Sequence, residues 1–135
     1  MGFRLTKLHF TNGFHGTLET KRATTKIGVE EGELRPYDLL QGSIAGCYYK
    51  TFLEILDKRD ITIGAAELEV KGVNRREAPT TLETVDITLT LLEYPQDQVK
   101  HLRRAADLAA KYCSIYQTVS HVATITHTLV LANEE

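Results

Sequence analysis

The sequence has few of the residues that commonly reveal a protein's chemistry or its compartment. It contains two cysteines, one methionine, three prolines and no tryptophan. No apolar run approaches the length needed to span a bilayer. Basic and acidic residues are mixed along the chain and nearly balance, with a net charge of −2, so no nucleic-acid surface is indicated. We therefore expect neither a membrane nor a nucleic acid as partner.

The 135 residues are expected to form a single domain, residues 1–135, because this length can bury a core without metals or several disulfides. The amino-terminal residues show no signal-peptide core, which predicts a cytoplasmic protein. Alternating and helical hydrophobic patterns predict the order β-β-(β)-α-β-β-α-β. The predicted strands cover residues 3–10, 14–22, 24–30, 61–73, 82–94 and 123–131, and the predicted helices cover 37–58 and 96–116. The predicted fold class is α+β, with antiparallel sheets wrapped around two central helices.

Each predicted helix carries one cysteine on its apolar face. Cys47 follows Leu40 and Ile44 at helical spacing, and Cys113 ends the corresponding stripe of the second helix, which is expected to break or kink just after it. In a reducing compartment such thiols are catalytic, redox-sensing or simply buried, rather than a permanent disulfide. Which of these roles applies to Cys47 and Cys113 depends on whether the two sulfurs meet in space.

Two segments, residues 35–47 (Arg-Pro-Tyr-Asp-Leu-Leu-Gln-Gly-Ser-Ile-Ala-Gly-Cys) and 110–115 (Ala-Lys-Tyr-Cys-Ser-Ile), resemble the OsmC/Ohr family. That family comprises the osmotically inducible protein C and the organic hydroperoxide resistance proteins. The resemblance implies an intertwined homodimer and thiol-dependent reduction of organic hydroperoxides. It implies that Cys47 attacks the peroxide and that Cys113 resolves the resulting sulfenic acid to a disulfide. No metal or bound cofactor is then required, and an external dithiol or thioredoxin-like protein re-reduces the disulfide.

The chain departs from the family pattern at two positions, so it resembles a divergent, less characterised branch. Tyr37 stands where well-studied members carry a glutamate, and Phe14 stands where they carry an arginine in the first hairpin turn. A buried thiol needs a cationic neighbour to stay ionised. Arg35, close upstream of the first helix, is the first candidate, with Arg22 and Lys26 as alternatives. Glu33 or Asp38 is the carboxylate expected to hold Arg35.

Three aromatic side chains are candidates for substrate contact. Tyr37 could hydrogen-bond a peroxide oxygen, and the resemblance, which implies an apolar substrate funnel, adds Tyr48 and Phe14. The alternative for Tyr48 is a place in the core or in an interface, as for its neighbours Tyr49 and Phe52.

A metal site is not favoured. His121, His127 and Cys113 lie near one another in sequence, but no Cys-x-x-Cys or His-x-x-x-His spacing is present. Two further functions stay open beside the peroxidase: a binding protein for an apolar ligand or partner, and a redox sensor that forms the disulfide once without turnover.

Overall fold

The computed structural model describes residues 2–134 of the chain. The chain divides into two compact units, one ending at Leu40 and the other beginning at Gln41. The α+β class and the predicted order of elements are confirmed.

The first unit contains a three-stranded antiparallel sheet of β1 (Lys7–Phe10), β2 (His15–Glu19) and β3 (Thr24–Gly28), in that order. A short turn joins β1 to β2. Asn12 and Gly13 both adopt positive φ, 53° and 97°, a conformation that asparagine and glycine tolerate best. The sheet buries few of its own side chains, since Leu8, Phe10 and Phe14 are each at least 39% exposed.

A long helix, α1 (Pro36–Asp57), connects this sheet to the rest of the chain. The second sheet has the order β4 (Ala65–Asn74), β5 (Leu82–Glu93), β6 (Thr124–Leu131). Between β5 and β6 the chain forms a short 3₁₀ helix, α2 (Val99–Tyr112) and α3 (Ser114–Ser120). The second predicted helix is therefore divided in two, as the break predicted near residue 113 indicated.

The strand β6 runs parallel to β5, which corrects the expectation of purely antiparallel sheets. Strands β4 and β5 form an antiparallel hairpin, as predicted. The return from β5 to β6 passes through α2 and α3, and a helical crossover of this kind brings the next strand back in the same direction. The alternation in the sequence predicts a strand but carries no information about its direction.

The core of the second unit lies between its helices and its sheet. The helix α1 contributes Ile44, Tyr48, Phe52 and Leu56, each at most 1% exposed. The helix α2 contributes Leu102 and a series of alanines, and β5 contributes Val85, Ile87, Leu89 and Leu91. Alanines on α2 leave room for the larger side chains that face them.

The side chain of Gln41 brings α1 close to Gly72 of β4. A Cβ at Gly42 or at Gly46 of α1 would meet no atom within 4 Å among the described residues. At Gly72, by contrast, a Cβ would lie 2.5 Å from the Gln41 side-chain oxygen. The Gln41 amide also donates a hydrogen bond to the Val70 carbonyl at 3.0 Å. This contact fixes the start of the second unit's helix against β4.

Within residues 2–134, no helix combines the length and the apolar character required to cross a membrane.

Candidate thiol site

Cys47 lies in the middle of α1 and is only partly buried. Ile44, one turn before it, is fully buried. Thr51, one turn after it, donates its hydroxyl to the Cys47 carbonyl at 2.9 Å. The thiol therefore borders the core while remaining accessible to a small reactant.

Cys113 lies at the junction where α2 ends and α3 begins, and it is 1% exposed. Its backbone is extended, with φ −74° and ψ 117°, which interrupts the helix. Its N–H donates to the Ala109 carbonyl at 2.9 Å, and its carbonyl accepts from the Gln117 N–H at 3.0 Å. Its Sγ accepts a hydrogen bond from the Tyr116 N–H at 3.4 Å. A second bond spans the junction, from the Gln117 side chain to the Ala110 carbonyl at 2.9 Å.

The two thiols are close enough to influence each other's ionisation. Both cysteines are free, and each one shifts the pKa of the other. Two thiols can form a disulfide when their Cα atoms lie within about 7 Å. Formation of a Cys47–Cys113 disulfide therefore stays a prediction.

Their surroundings shift the pKa values of the two thiols in opposite directions. Burial raises the pKa of Cys47, but polar interactions with Cys113, the Ile115 backbone, Ser114 and Thr51 outweigh it, so the pKa lies below its ordinary value. Burial and the hydrogen bond to Cys47 raise the pKa of Cys113. Cys47 is therefore the thiol that ionises first, with Cys113 as a donor to it.

A chain of polar groups surrounds Tyr116, beside Cys113. The Tyr116 hydroxyl lies 3.2 Å from both the Ile125 carbonyl and His127 Nδ1. His127 Nε2 lies 3.0 Å from a carboxylate oxygen of Asp107 on α2. Burial raises the pKa of Tyr116. We call Tyr116, His127 and Asp107 the Tyr116 triad.

Tyr48 belongs to the core, the alternative considered for it. It is 1% exposed, its hydroxyl donates to the Ala106 carbonyl at 2.8 Å, and its ring packs 5.9 Å from that of Tyr116 and 5.7 Å from that of His127. Burial raises its pKa strongly. In this position it supports the elements that carry both cysteines.

A cavity of about 700 Å³ lies between α1 and α2, and neither cysteine is among its lining residues. Its volume is within the range of small-molecule sites. Thr51, which contacts the Cys47 thiol, and Tyr112, the neighbour of Cys113, both line it. Its full lining comprises Thr51, Glu54, Ile55, Lys58, Arg59, Leu108 and Tyr112.

Arg35 lies in the first unit, where Asp38 holds it. The Nε and the terminal guanidinium nitrogen of Arg35 donate to the two Asp38 carboxylate oxygens, each at 3.1 Å. This bond raises the pKa of Arg35 and lowers that of Asp38. Glu33, the other candidate holder, instead pairs with His15 at 3.1 Å. Asp38 is therefore the carboxylate that orients this guanidinium.

The remaining sequence candidates, Phe14 and Tyr37, are exposed. Phe14 is 42% exposed and stacks on Phe10 with the ring centres 5.2 Å apart, and Tyr37 is 43% exposed. Their contact with a substrate stays a prediction.

Sequence reasoning missed Ser114, Ile115 and the Tyr116 triad. One signal was present for His127. The residues that alternate with it along β6, Ile125 and Leu129, are on the inward face, so His127 is a polar side chain at a core-facing position. In the described residues 2–134, no group of three or more histidine, cysteine or acidic side chains is arranged to hold a metal ion.

Fold and site define a small α+β protein with two neighbouring free thiols, one within α1 and one at the junction between α2 and α3. The family model described as OsmC-like protein matches residues 29–128, most of the chain, and the protein therefore belongs to the OsmC-like family. The comparison with curated proteins found no match.

Several solved structures share the fold over almost the whole chain. A hypothetical protein from Aquifex aeolicus is 24% identical with a TM-score of 0.84, and each chain is covered completely. An OsmC-like protein of unknown function from Vibrio cholerae is 12% identical with a TM-score of 0.82, covering 96% of this chain and 100% of the other. The organic hydroperoxide resistance protein OhrB of Bacillus subtilis is 12% identical with a TM-score of 0.63, covering 93% of this chain and 97% of the other.

Proposed function

We propose that this protein is a thiol peroxidase that reduces organic hydroperoxides. The observation that carries the proposal is a pair of free thiols that influence each other and whose pKa values are shifted in opposite directions. Membership of the OsmC-like family and the fold shared with organic hydroperoxide resistance proteins support it.

The proposed reaction has three balanced steps. The Cys47 thiolate attacks one peroxide oxygen, the O–O bond breaks, and the alcohol leaves with a proton while Cys47 becomes a sulfenic acid. The Cys113 thiol then attacks the Cys47 sulfur, the S–O bond breaks, and water leaves with the Cys113 proton. An external dithiol or thioredoxin-like protein finally reduces the Cys47–Cys113 disulfide and is itself oxidised to a disulfide. No metal or bound cofactor takes part.

The cavity beside the thiols supports an organic rather than an inorganic peroxide. Its walls include Ile55, Leu108 and Tyr112, and its volume of about 700 Å³ far exceeds that of hydrogen peroxide. An apolar substituent would be bound by these walls with its peroxide near Thr51. Lys58 and Arg59 lie among the lining residues, so an acidic group on the substrate would also be tolerated.

The proposal includes a homodimer in the cytoplasm. The exposed apolar side chains of the first sheet, Leu8, Phe10 and Phe14, support a partner surface, since soluble proteins rarely leave such groups uncovered in water. A cytoplasmic location would keep both thiols reduced between turnovers. Light scattering coupled to gel filtration tests the dimer directly, and a monomer at micromolar concentration would contradict it.

The test of the activity is consumption of cumene hydroperoxide with dithiothreitol as reductant, together with intact mass and thiol count. We expect continuous peroxide consumption, and without reductant we expect loss of both thiols with a mass decrease of two protons. A redox sensor rests on the same pair of thiols and would give the mass decrease without turnover. Two thiols left intact by excess peroxide would overturn both functions and leave a binding protein with the cavity as its site.

A further inference from the structure

The Tyr116 triad connects the strand β6 to the sulfur of Cys113. The Tyr116 N–H donates to Cys113 Sγ at 3.4 Å, and the hydroxyl of the same residue reaches the Ile125 carbonyl and His127 of β6. Tyr116 is 7% exposed, and its ring packs against that of Tyr48. One buried residue therefore contacts the thiol with its backbone and the sheet with its side chain.

Three polar contacts link the triad and the Ile125 carbonyl, and the protons on His127 decide which of these contacts are hydrogen bonds. Tyr116 has one hydroxyl proton but two acceptors at 3.2 Å, Ile125 O and His127 Nδ1. If Nδ1 carries a proton it donates to the Tyr116 oxygen, and the hydroxyl is free to donate to Ile125. Asp107 then requires a proton on Nε2 as well. Either neutral form of His127 leaves one of these contacts without its proton.

The other residues around His127 do not offer it an alternative hydrogen-bond partner. The Tyr48 ring of α1 packs on the imidazole at 5.7 Å, and its own hydroxyl is bonded to the Ala106 carbonyl. Arg103 of α2 lines the same small surface recess as His127, but its guanidinium pairs with Glu134 at 3.0 Å. The residue of β5 that pairs with His127 is Ile87, which is apolar. Asp107 and Tyr116 are therefore its two polar partners.

We propose that Tyr116, held by His127 and Asp107, is a positioning residue that keeps Cys113 Sγ in place for the second chemical step. The inference rests on the proposed peroxidase function and deepens it. In that step Cys113 Sγ forms a bond to Cys47 Sγ, the S–O bond of the sulfenic acid breaks, and water leaves. Cys113 lies at a helix junction, so its sulfur can shift with α3 unless α3 is attached to the sheet.

The triad is expected to act on the second step far more than on the first. The Cys47 thiolate attacks the peroxide without any movement of Cys113. Loss of one buried hydrogen bond at Tyr116 should slow disulfide formation about three- to tenfold. The attack of Cys47 on the peroxide should change by less than about twofold, because its own polar interactions with Thr51 and Cys113 remain.

The experiment compares Tyr116→Phe and His127→Gln with His121→Gln as a matched control. Tyr116→Phe removes only the hydroxyl, and His121 is an exposed histidine outside the triad. Reduced protein is mixed with one equivalent of cumene hydroperoxide without reductant. Dimedone trapping and intact mass then follow the sulfenic acid and the disulfide over time. We expect the sulfenic acid to persist longer in both triad variants and not in the control.

The split between the two chemical steps separates positioning from a merely structural role. A general loss of packing in Tyr116→Phe or His127→Gln would slow the attack on the peroxide as well as disulfide formation. We expect the attack of Cys47 in both variants to stay within about twofold of the wild type while disulfide formation slows.

The outcomes distinguish this inference from the proposed function. Equal slowing of both steps, or unchanged disulfide formation in Tyr116→Phe and His127→Gln, would overturn the positioning role. If peroxide leaves Cys47 unchanged, the peroxidase proposal fails. Diamide then provides the test, since it oxidises two neighbouring thiols to a disulfide and is itself reduced to the hydrazine. Disulfide formation by diamide should be slower in Tyr116→Phe than in His121→Gln, and equal rates would contradict the inference.

Discussion

The middle of α1 and the junction between α2 and α3 each carry a cysteine, yet they provide opposite environments. Cys47 lies in regular helix, partly accessible, among several hydrogen-bond donors, and its pKa is lowered despite burial. Cys113 lies at a break between helices, 1% exposed, and burial and its bond to Cys47 raise its pKa. The difference shows that the residue type sets which chemistry is available, while backbone geometry and neighbours decide which sulfur reacts first.

The largest expected effect comes from removing one thiol at a time. Cys47→Ser should reduce peroxide consumption to the background rate, because the only accessible nucleophile of the pair is lost. Cys113→Ser should keep the first step but stop at the sulfenic acid, which proceeds to sulfinic acid in excess peroxide. Intact mass spectrometry after peroxide treatment identifies the oxidation state of the remaining cysteine in each variant. A Cys47→Ser protein that still consumes peroxide would reverse the assigned roles.

The second prediction concerns the pH dependence of thiol alkylation. Since Cys47 has the lowered pKa, iodoacetamide should modify it at lower pH than Cys113. Cys113→Ala removes a donor to the Cys47 thiolate, so the pKa of Cys47 should rise and its alkylation near neutral pH should slow, about tenfold for each pKa unit. Site-resolved mass spectrometry against pH measures this. A Cys47 profile unchanged in Cys113→Ala would mean that the contact between the sulfurs does not stabilise the thiolate.

The third prediction tests Arg35, the cation chosen from the sequence. If Arg35 assists ionisation of Cys47, Arg35→Ala should slow Cys47 alkylation severalfold near neutral pH. Asp38→Asn, which removes the carboxylate that orients the guanidinium, should have a smaller effect of the same sign. An unchanged alkylation rate in Arg35→Ala would exclude Arg35 from the mechanism, and the donors of the second unit would then suffice.

The smallest expected effect belongs to Thr51. Its hydroxyl, which donates to the Cys47 carbonyl at 2.9 Å, is one of the weaker influences that lower the pKa of Cys47. Thr51→Val keeps the size of the side chain and should slow Cys47 alkylation about two- to threefold near neutral pH. Thr128→Val, an exposed threonine of β6, serves as control. Equal rates for wild type and Thr51→Val would show that Cys113, Ser114 and the Ile115 backbone account for the whole shift.

The sequence predicted much of the fold because its information is local. Alternation identified β5 and the β4–β5 hairpin, and the spacing of apolar residues identified the faces on which Cys47 and Cys113 lie. The resemblance to the OsmC/Ohr family supplied the pairing of the two thiols. The break after Tyr112 was also visible, since the stripe of α2 ends at Cys113.

The features that the sequence did not predict depend on contacts between distant segments. The direction of β6 follows from how α2 and α3 return the chain, and the Tyr116 triad requires α2, α3 and β6 to meet. Likewise, opposite pKa shifts at two cysteines cannot be read from two similar helical stripes. They arise from donors at Ser114 and Ile115 that approach Cys47 only after the helices pack.

The parallel pairing of β6 with β5 also determines when the site can form during folding. The β4–β5 hairpin closes over a short loop, but Thr84 pairs with Thr124, which must first be brought back across 40 residues (124 − 84). Closing so long a segment is slow, because its entropy is lost before the new contacts compensate. Cys113 and α3 lie inside that segment, and we expect the two sulfurs to meet only in the final stage of folding. Chains that have not yet paired β6 would then be unable to form the disulfide.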